Sequence, residues 1–482
     1  MINAIFLTIF VLVIISIGIW SMKKISSVND FFLGSRTIGA WLSGIAYGTT
    51  YFSAVLFIGF AGKLGWGFGI NVLWIALGNV VIGCYLSWKV LGKRTRRMTN
   101  NLNALTMPEF FNQRYLSPAL KIFSSLIIFI FLLPYSASVF KGLGHLFEIS
   151  FNIPYDLALF SMILLTGVYL VLGGYFAIAI NDLVMGVIMF FGSILMVITL
   201  SNHAGGLMPS ISTIITNYSA HIPVGKQAGW LTLASLVFMT SFGTWGLPQM
   251  IQKFYAIKDE SLINKAAIIT TVFATVIVFA AYFIGSMTHV FFTSVPIVEG
   301  QPVFDLFIPT MLNQYLPPYF MAVILILIIS ASMSTLSSLV LVSASALVMD
   351  FYNGTINKKA SQKQLLILMR VLSGIFIICS WVIARFQFSV IVTLMSLSWG
   401  VVAGSFMAPY VYGLFWKKTT KLASWAGMIS GFLTAIILFY ALPASQSPLS
   451  ASIAMIVPFF VIPIVSLLTK PLPKETIEIA FK

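Results

Sequence analysis

The amino-acid sequence predicts an all-α polytopic membrane protein of about 13 transmembrane helices. Three observations carry this. Of the 482 residues, 59% are hydrophobic and only 8% are charged, and the mean hydropathy is +1.00; soluble domains carry about 25% charged residues. Apolar runs of roughly 20 residues, the length that crosses the hydrocarbon core, recur along the whole chain. Lys and Arg gather in alternate links between those runs, as positive-inside topology requires.

The runs cover 2–22, 39–62, 66–91, 120–147, 154–173, 175–200, 229–252, 264–293, 317–349, 365–384, 388–415, 422–442 and 449–469. The first is followed by Lys23, Lys24 and Arg36 and preceded by no charge, so it reads as a span rather than a signal peptide. With an outside N-terminus and a cytoplasmic C-terminus, 23 of the 27 Lys and Arg fall in or beside inner segments. Lys63, Lys141, Lys226 and Arg385 are the exceptions. The expected location is the plasma membrane of the cell, crossed many times. The net charge of +15 is thus spent on topology, and nucleic acid is not an expected partner. No stretch is left for a kinase, nuclease or nucleotide-binding module, and there is no Walker-type Gly-Lys-Ser/Thr loop.

The second run contains Gly48-Thr49-Thr50-Tyr51-Phe52-Ser53, polar, β-branched and poor as helix. The third and fifth runs carry no special signal. The fourth holds Lys141 near its outer end, where a snorkelling stem is expected. The sixth holds Asp182, the one acidic residue well inside a run. An intramembrane carboxylate marks a functional site unless it caps a helix or pairs with an inner Lys or Arg. The seventh is interrupted by Gly243, Gly246 and Pro248. Non-helical backbone at membrane depth is tolerated where it lines a buried cavity. Breaks in runs two and seven, five apart, match the two inverted halves of many secondary transporters, whose ligands bind at the breaks.

The ninth run carries Ser330, Ser332, Ser334, Thr335, Ser337 and Ser338 in an apolar frame. Ala331, Ser334 and Thr335 share one helical face. Two hydroxyls and a carbonyl on one face suit a small hard cation that takes oxygen ligands. The competing reading has the hydroxyls bonding back to their own helix or packing as small residues. Runs eight and ten to thirteen are apolar spans without such a seam. Cys84 and Cys379 read as packing residues. His145, His203, His221 and His289 show no metal-ligand spacing, and Asn217-Tyr218-Ser219 fits a glycosylation sequon.

The chain resembles the sodium/solute symporter family over nearly its whole length, most like its pantothenate- and proline-type bacterial branch. The resemblance rests on DFFLGSR at 30–36, TTYFSAVLFIGFAG at 49–62, GGYFAIAIND at 173–182, GLPQ at 246–249 and above all SASMSTLSS at 330–338. It implies a LeuT-like 5+5 inverted-repeat core. The extra first helix and its link would be 1–38, the two five-helix repeats 39–227 and 228–418, and two last helices with a cytoplasmic tail 419–482. It implies sodium-coupled import of a small organic solute by alternating access, with no catalysis and no organic cofactor. Na+ would bind the carbonyls of Thr49, Phe52 and Ala331 and the hydroxyls of Ser334 and Thr335, with Asp182 on its exit route. One sodium is favoured, because Ala331 stands where relatives with a second sodium carry a serine.

The solute is expected to be a carboxylate, a vitamin or an amino acid. Proline transporters of the family carry an acidic residue at the position of Tyr51 and aromatic residues at those of Thr240 and Thr244; sugar transporters use amides at the positions of Tyr51 and Leu56. The TYFSA run, the FDLFIPTMLNQYLPP segment at 304–318 and the GLPQ turn look more like the pantothenate and carboxylate branch. Candidate solute contacts are Tyr51, Ser53, Leu56, Thr240, Thr244, Trp245 and Trp399, each aromatic among them equally explained by helix packing. The alternative is a proton-coupled transporter or passive facilitator of the same fold. A channel would not need a closed ion site at a broken helix. A membrane enzyme would need a catalytic partner for Asp182, and no His, Cys or second carboxylate lies near it in sequence.

Overall fold

The computed structural model describes residues 2–22, 32–223, 227–298 and 300–482. Lys23, Lys24, Asp30, Phe31 and Lys226, which entered the sequence reading, lie outside the described residues. Among the described residues the regular structure is helical apart from one hairpin of two-residue strands, Ile297–Val298 with Gln301–Pro302, and an isolated bridge between Ile38 and Ile257. Among the described residues nine helices are long and apolar enough to cross a membrane, or ten with the bent pair Trp230–Trp245 and Pro248–Ala256 counted as one. The difference from thirteen has local causes. The helical stretch 55–101 takes in the second half of the second span and all of the third, while Ile5–Trp20 and Tyr155–Leu164 are shorter apolar helices. The helix Tyr155–His203 runs over both the fifth and the sixth predicted spans.

Both predicted breaks are present. The second span is helical over Ala40–Tyr51, leaves helix at Phe52 (φ −108°, ψ 104°), and resumes as a wide π turn at Val55–Phe60 followed by Ala61–Phe68. Gly69 then turns the chain into the third span with φ +54°, a conformation that a residue with a Cβ adopts only with strain. The seventh span passes through a 3-10 turn at Gly243–Trp245 and restarts at Pro248, bent by 41°. Proline at the first position of the new half needs no N–H donor there, so it sets the break at little cost.

Burial separates an inner set of spans from a lipid-facing set. In the most apolar stretches of Pro318–Ile356 and Ile391–Phe415, 94% of residues are buried; for Gln362–Arg385, Lys421–Ala441 and Ala444–Leu468 the shares are 28%, 33% and 39%. The serine-bearing ninth span is therefore central, and its Ser and Thr hydroxyls from Ser330 to Ser345 are buried. Close approach of the second and eighth spans depends on Gly65 and Gly285. A Cβ on Gly65 would lie 2.0 Å from the Gly285 carbonyl carbon.

Two lysines depart from expectation. Lys141 does not snorkel. It is buried, with Nζ 2.9 Å from Asp305 Oδ2 and donating to the Ser389 carbonyl at 3.1 Å. The packing that buries its stem supplies a carboxylate closer than the headgroups. Lys253, counted among the inner-link charges, is fully buried on the second half of the broken seventh span. The sequon residue Asn217 has its side-chain nitrogen engaged, donating to the His289 carbonyl at 2.9 Å.

Candidate functional site

The ninth span meets the second at its break, and three of its side chains close the contact. Thr335 Oγ1 donates to the Thr50 carbonyl at 2.9 Å and lies 3.4 Å from the Thr49 carbonyl. The Ala54 N–H, released by the interruption, donates to Ser332 Oγ at 3.2 Å. Thr50 Oγ1 and Ser338 Oγ are 3.0 Å apart. Ser332, Thr335 and Ser338 follow at three-residue steps, so they form one stripe along the helix. A break that would strand backbone groups in an apolar interior is thus held by hydroxyls of its neighbour.

Back-bonding accounts for part of the seam. Ser332 Oγ also donates to the Ile328 carbonyl at 2.7 Å, Ser337 Oγ to that of Ser334 at 2.8 Å, and Thr335 Oγ1 approaches that of Ala331 at 3.1 Å. Ser334 differs. Its buried hydroxyl has no hydrogen-bond partner, and it belongs to the surroundings of the Asp182 carboxyl. Asp182 is fully buried and neither carboxylate oxygen accepts a hydrogen bond. An unpartnered buried polar group costs free energy, and here three such oxygens belong to one neighbourhood. Carbonyls at the break, Thr335, Ser334 and Asp182 together make an oxygen-rich neighbourhood of the kind a hard cation binds.

A buried ammonium borders this neighbourhood. Lys253 Nζ donates to Ser338 Oγ at 3.1 Å and stands 3.9 Å from Asp182 Oδ2. A lysine ammonium has only donors, so Ser338 accepts from Lys253 and its own proton is free for Thr50 Oγ1. The order Asp182, Lys253, Ser338, Thr50 thus links the sixth, seventh, ninth and second spans.

Toward the seventh-span break lies a small cavity lined by Tyr51, Phe52, Val55, Leu56, Phe60, Asn79, Thr240, Tyr282, Met395 and Trp399. Its open space is about 20 Å³, room for about one water. Tyr51 donates its phenol proton to the Thr240 carbonyl and stacks 6.1 Å from Trp399, which meets Tyr135 at 5.9 Å. Thr240 Oγ1 donates to Asn79 Oδ1 at 2.8 Å. Four of the seven sequence-predicted solute residues, Tyr51, Leu56, Thr240 and Trp399, line this cavity. Ser53 sits at the break and accepts the Val55 N–H at 3.2 Å. Thr244 is buried against the third span, 3.2 Å from the Gly83 carbonyl, and Trp245 donates to the Ile82 carbonyl at 3.1 Å.

Sequence reasoning did not single out Lys253, Asn79 or Tyr282. An amide in mid-span was a readable signal for Asn79. Lys253 lies one residue beyond the apolar run 229–252, and Tyr282 is one aromatic among many.

The sequence pattern described as the sodium:solute symporter family matches residues 31–431. The osmoregulated proline transporter OpuE of Bacillus subtilis (strain 168) is 29% identical over 438 residues, covering 89% of this chain and 87% of the relative. The sodium/proline symporter of Escherichia coli (strain K12) is 29% identical over 436 residues, covering 89% and 86%. Among solved structures, a Na+-coupled sialic acid symporter superposes with a TM-score of 0.79 at 17% identity, over 98% of both chains. Mhp1, a nucleobase-cation-symport-1 family transporter, superposes with a TM-score of 0.53 at 12% identity, over 93% of this chain and 97% of the other. At these identities the two structures speak for the fold alone.

Proposed function

The chain belongs to the sodium:solute symporter family, and from that premise we propose that it imports a small organic solute together with Na+ by alternating access. It is a transporter and not an enzyme. The observation that carries the ion assignment is the meeting of the second-span break with Thr335, beside the unpartnered oxygens of Ser334 and Asp182. Na+ is held by the carbonyls of Thr49, Phe52 and Ala331 and by the hydroxyls of Ser334 and Thr335. Binding there requires Thr335 Oγ1 to turn its lone pairs to the ion and release the Thr50 carbonyl. Asp182 receives the ion on its way out.

The solute occupies the cavity between the breaks, enlarged from its closed size, and touches Tyr51, Leu56, Thr240, Trp399 and Asn79. Ser53, Thr244 and Trp245 act around it. Tyr51 cannot carry the negative charge of a carboxylate, so the solute is recognised by an apolar body and a few polar contacts. A carboxylate, vitamin or amino acid of that kind fits, and the likeness to proline symporters makes proline one of the solutes to try. The two halves are 39–227 and 228–418, with 1–38 and 419–482 flanking them, and the N-terminus lies outside in the cell membrane.

A second reading has one specific observation in its favour. Lys253 places a tethered cation beside Asp182, and a protonatable pair there suits proton coupling. Uptake by purified protein in liposomes separates the two. Labelled proline, carboxylates, vitamins and sugars are screened with an inward Na+ gradient, an inward proton gradient, or neither. Accumulation that needs Na+ supports the assignment; accumulation driven by protons alone, at any Na+ concentration, overturns it.

A further inference from the structure

Lys253 is a full charge beside the proposed ion route, at a depth where charge is costly. It lies in the helix Pro248–Ala256, the half of the seventh span that follows the break, and it is fully buried. A lysine there has lost the water that would solvate its ammonium, so other groups must stand in for that water. Three do. Ser338 Oγ accepts from Nζ at 3.1 Å, Asp182 Oδ2 lies at 3.9 Å, and the Tyr175 ring centroid lies 5.1 Å away. The face of that ring carries partial negative charge and attracts a cation. Asp182 and Tyr175 belong to the sixth span and Ser338 to the ninth.

The same carboxylate serves the proposed sodium ligands. Ser334, with its unpartnered hydroxyl, belongs to the surroundings of Asp182. Ser334 and Ser338 are four residues apart on one helix, so they are neighbours, with Cβ atoms about 5–6 Å apart. An ion on Ser334 and the ammonium on Ser338 are thus two like charges at about one helical turn, sharing one carboxylate. Buried charges at that spacing repel with little screening. Ser338 also ties the ammonium to the second-span break. It accepts from Lys253, so its own proton turns to Thr50 Oγ1 at 3.0 Å, and Thr50 follows Thr49, whose carbonyl is a proposed ligand.

We propose that Lys253 is a tethered counter-cation that sets the affinity of the sodium site. The proposal rests on the sodium-coupled reading above. Lys253 competes with the transported ion for Asp182 and holds Na+ binding weaker than the oxygen ligands alone would make it. Its position past the break gives this competition a direction. When the half-helix Pro248–Ala256 moves against the sixth and ninth spans, the ammonium approaches or leaves Asp182. Approach expels the ion and withdrawal leaves the carboxylate to it. Lys253 is therefore a positioning residue for ion release that touches neither the ion nor the solute.

The test is Na+ binding to purified, full-length protein. It is read as the NaCl concentration that half-saturates the rise in unfolding temperature, with choline chloride keeping the ionic strength constant. Lys253→Met and Lys253→Gln should each lower that concentration by about tenfold or more, because the repelling charge is gone. Lys253→Arg keeps the charge and should stay within about threefold of wild type. Ser338→Ala removes the hydrogen bond but not the charge, and it should also stay within about threefold. In liposomes with Na+ saturating on both sides, exchange of labelled for unlabelled solute should be preserved in Lys253→Gln. Its net uptake, which requires Na+ to leave, should slow several-fold. A lysine with a merely structural role would slow both alike. Should Lys253→Met not fold, Lys253→Gln carries the test. If wild type responds to Na+ and the neutral variants bind it no more tightly, this proposal alone is overturned. A wild type that does not respond to Na+ overturns the sodium reading, and this proposal with it.

Discussion

Among the described residues two lysine–aspartate pairs have both partners buried, and they are built differently. At Lys141 and Asp305 the charges are 2.9 Å apart, and the ammonium spends a further bond on the Ser389 carbonyl. The pair closes on itself and ties the fourth span to the links on either side of the ninth and tenth. At Lys253 and Asp182 the separation is 3.9 Å, because the ammonium is drawn toward Ser338. Neither carboxylate accepts a well-formed hydrogen bond, so distance separates the two pairs: Coulomb attraction falls with distance, and the buried carboxylate at 3.9 Å is the less satisfied. The first arrangement is a fastening. The second leaves a carboxylate ready for another cation, beside the break where sodium is proposed to bind.

Breaking the fastening should have the largest effect. Lys141→Met leaves Asp305 buried and unpaired, and should destabilise the protein by about 3–5 kcal/mol, seen as a lower unfolding temperature in detergent. Lys141→Met with Asp305→Leu should recover most of the loss. If the single variant is as stable as wild type, the pair is no fastening.

The next effect concerns the ion. Ser334→Ala with Thr335→Ala removes two proposed ligands. The Na+ concentration for half-maximal uptake should rise by about tenfold or more, at roughly 1–1.5 kcal/mol for each lost contact. Unchanged sodium dependence would place the ion elsewhere.

Asp182→Asn sharpens the comparison from the open side. Turnover should slow several-fold while solute affinity stays within a few-fold, because the carboxylate is proposed to act on the leaving ion. Its stability loss should be smaller than that of Lys141→Met, since less attraction is given up at 3.9 Å than at 2.9 Å. A larger loss would make both pairs fastenings.

The smallest effect is expected at the solute cavity. Tyr51→Phe removes the bond to the Thr240 carbonyl and should weaken solute binding by about 1 kcal/mol. Tyr51→Ala should cost more, through lost stacking on Phe52 and Trp399. Indistinguishable affinity for wild type and both variants would remove Tyr51 from the cavity.

The amino-acid sequence by itself determined the membrane class, the positions of both breaks and the serine seam. Each is a local property: hydropathy is summed over a run, helix breaking lies in Gly, Pro and β-branched residues, and face-sharing follows from the helical period. Asp182 was legible for the same reason, being a charge inside an apolar run. Tertiary structure alone decided which partner each polar group found. Ser332, Thr335 and Ser338 are divided from Ser334 by what lies opposite them, and what lies opposite comes from the second and sixth spans. Lys253 reads from sequence as one more inner charge; only the 41° bend and the packing around it bury it beside Asp182. His221 and His289, far apart along the chain, become neighbours because both rings stack on Trp66. Hydropathy tells how deep a residue lies in the bilayer and periodicity which face it occupies, but neither specifies the neighbouring helix, and buried charges and hydroxyls take their roles from that neighbour.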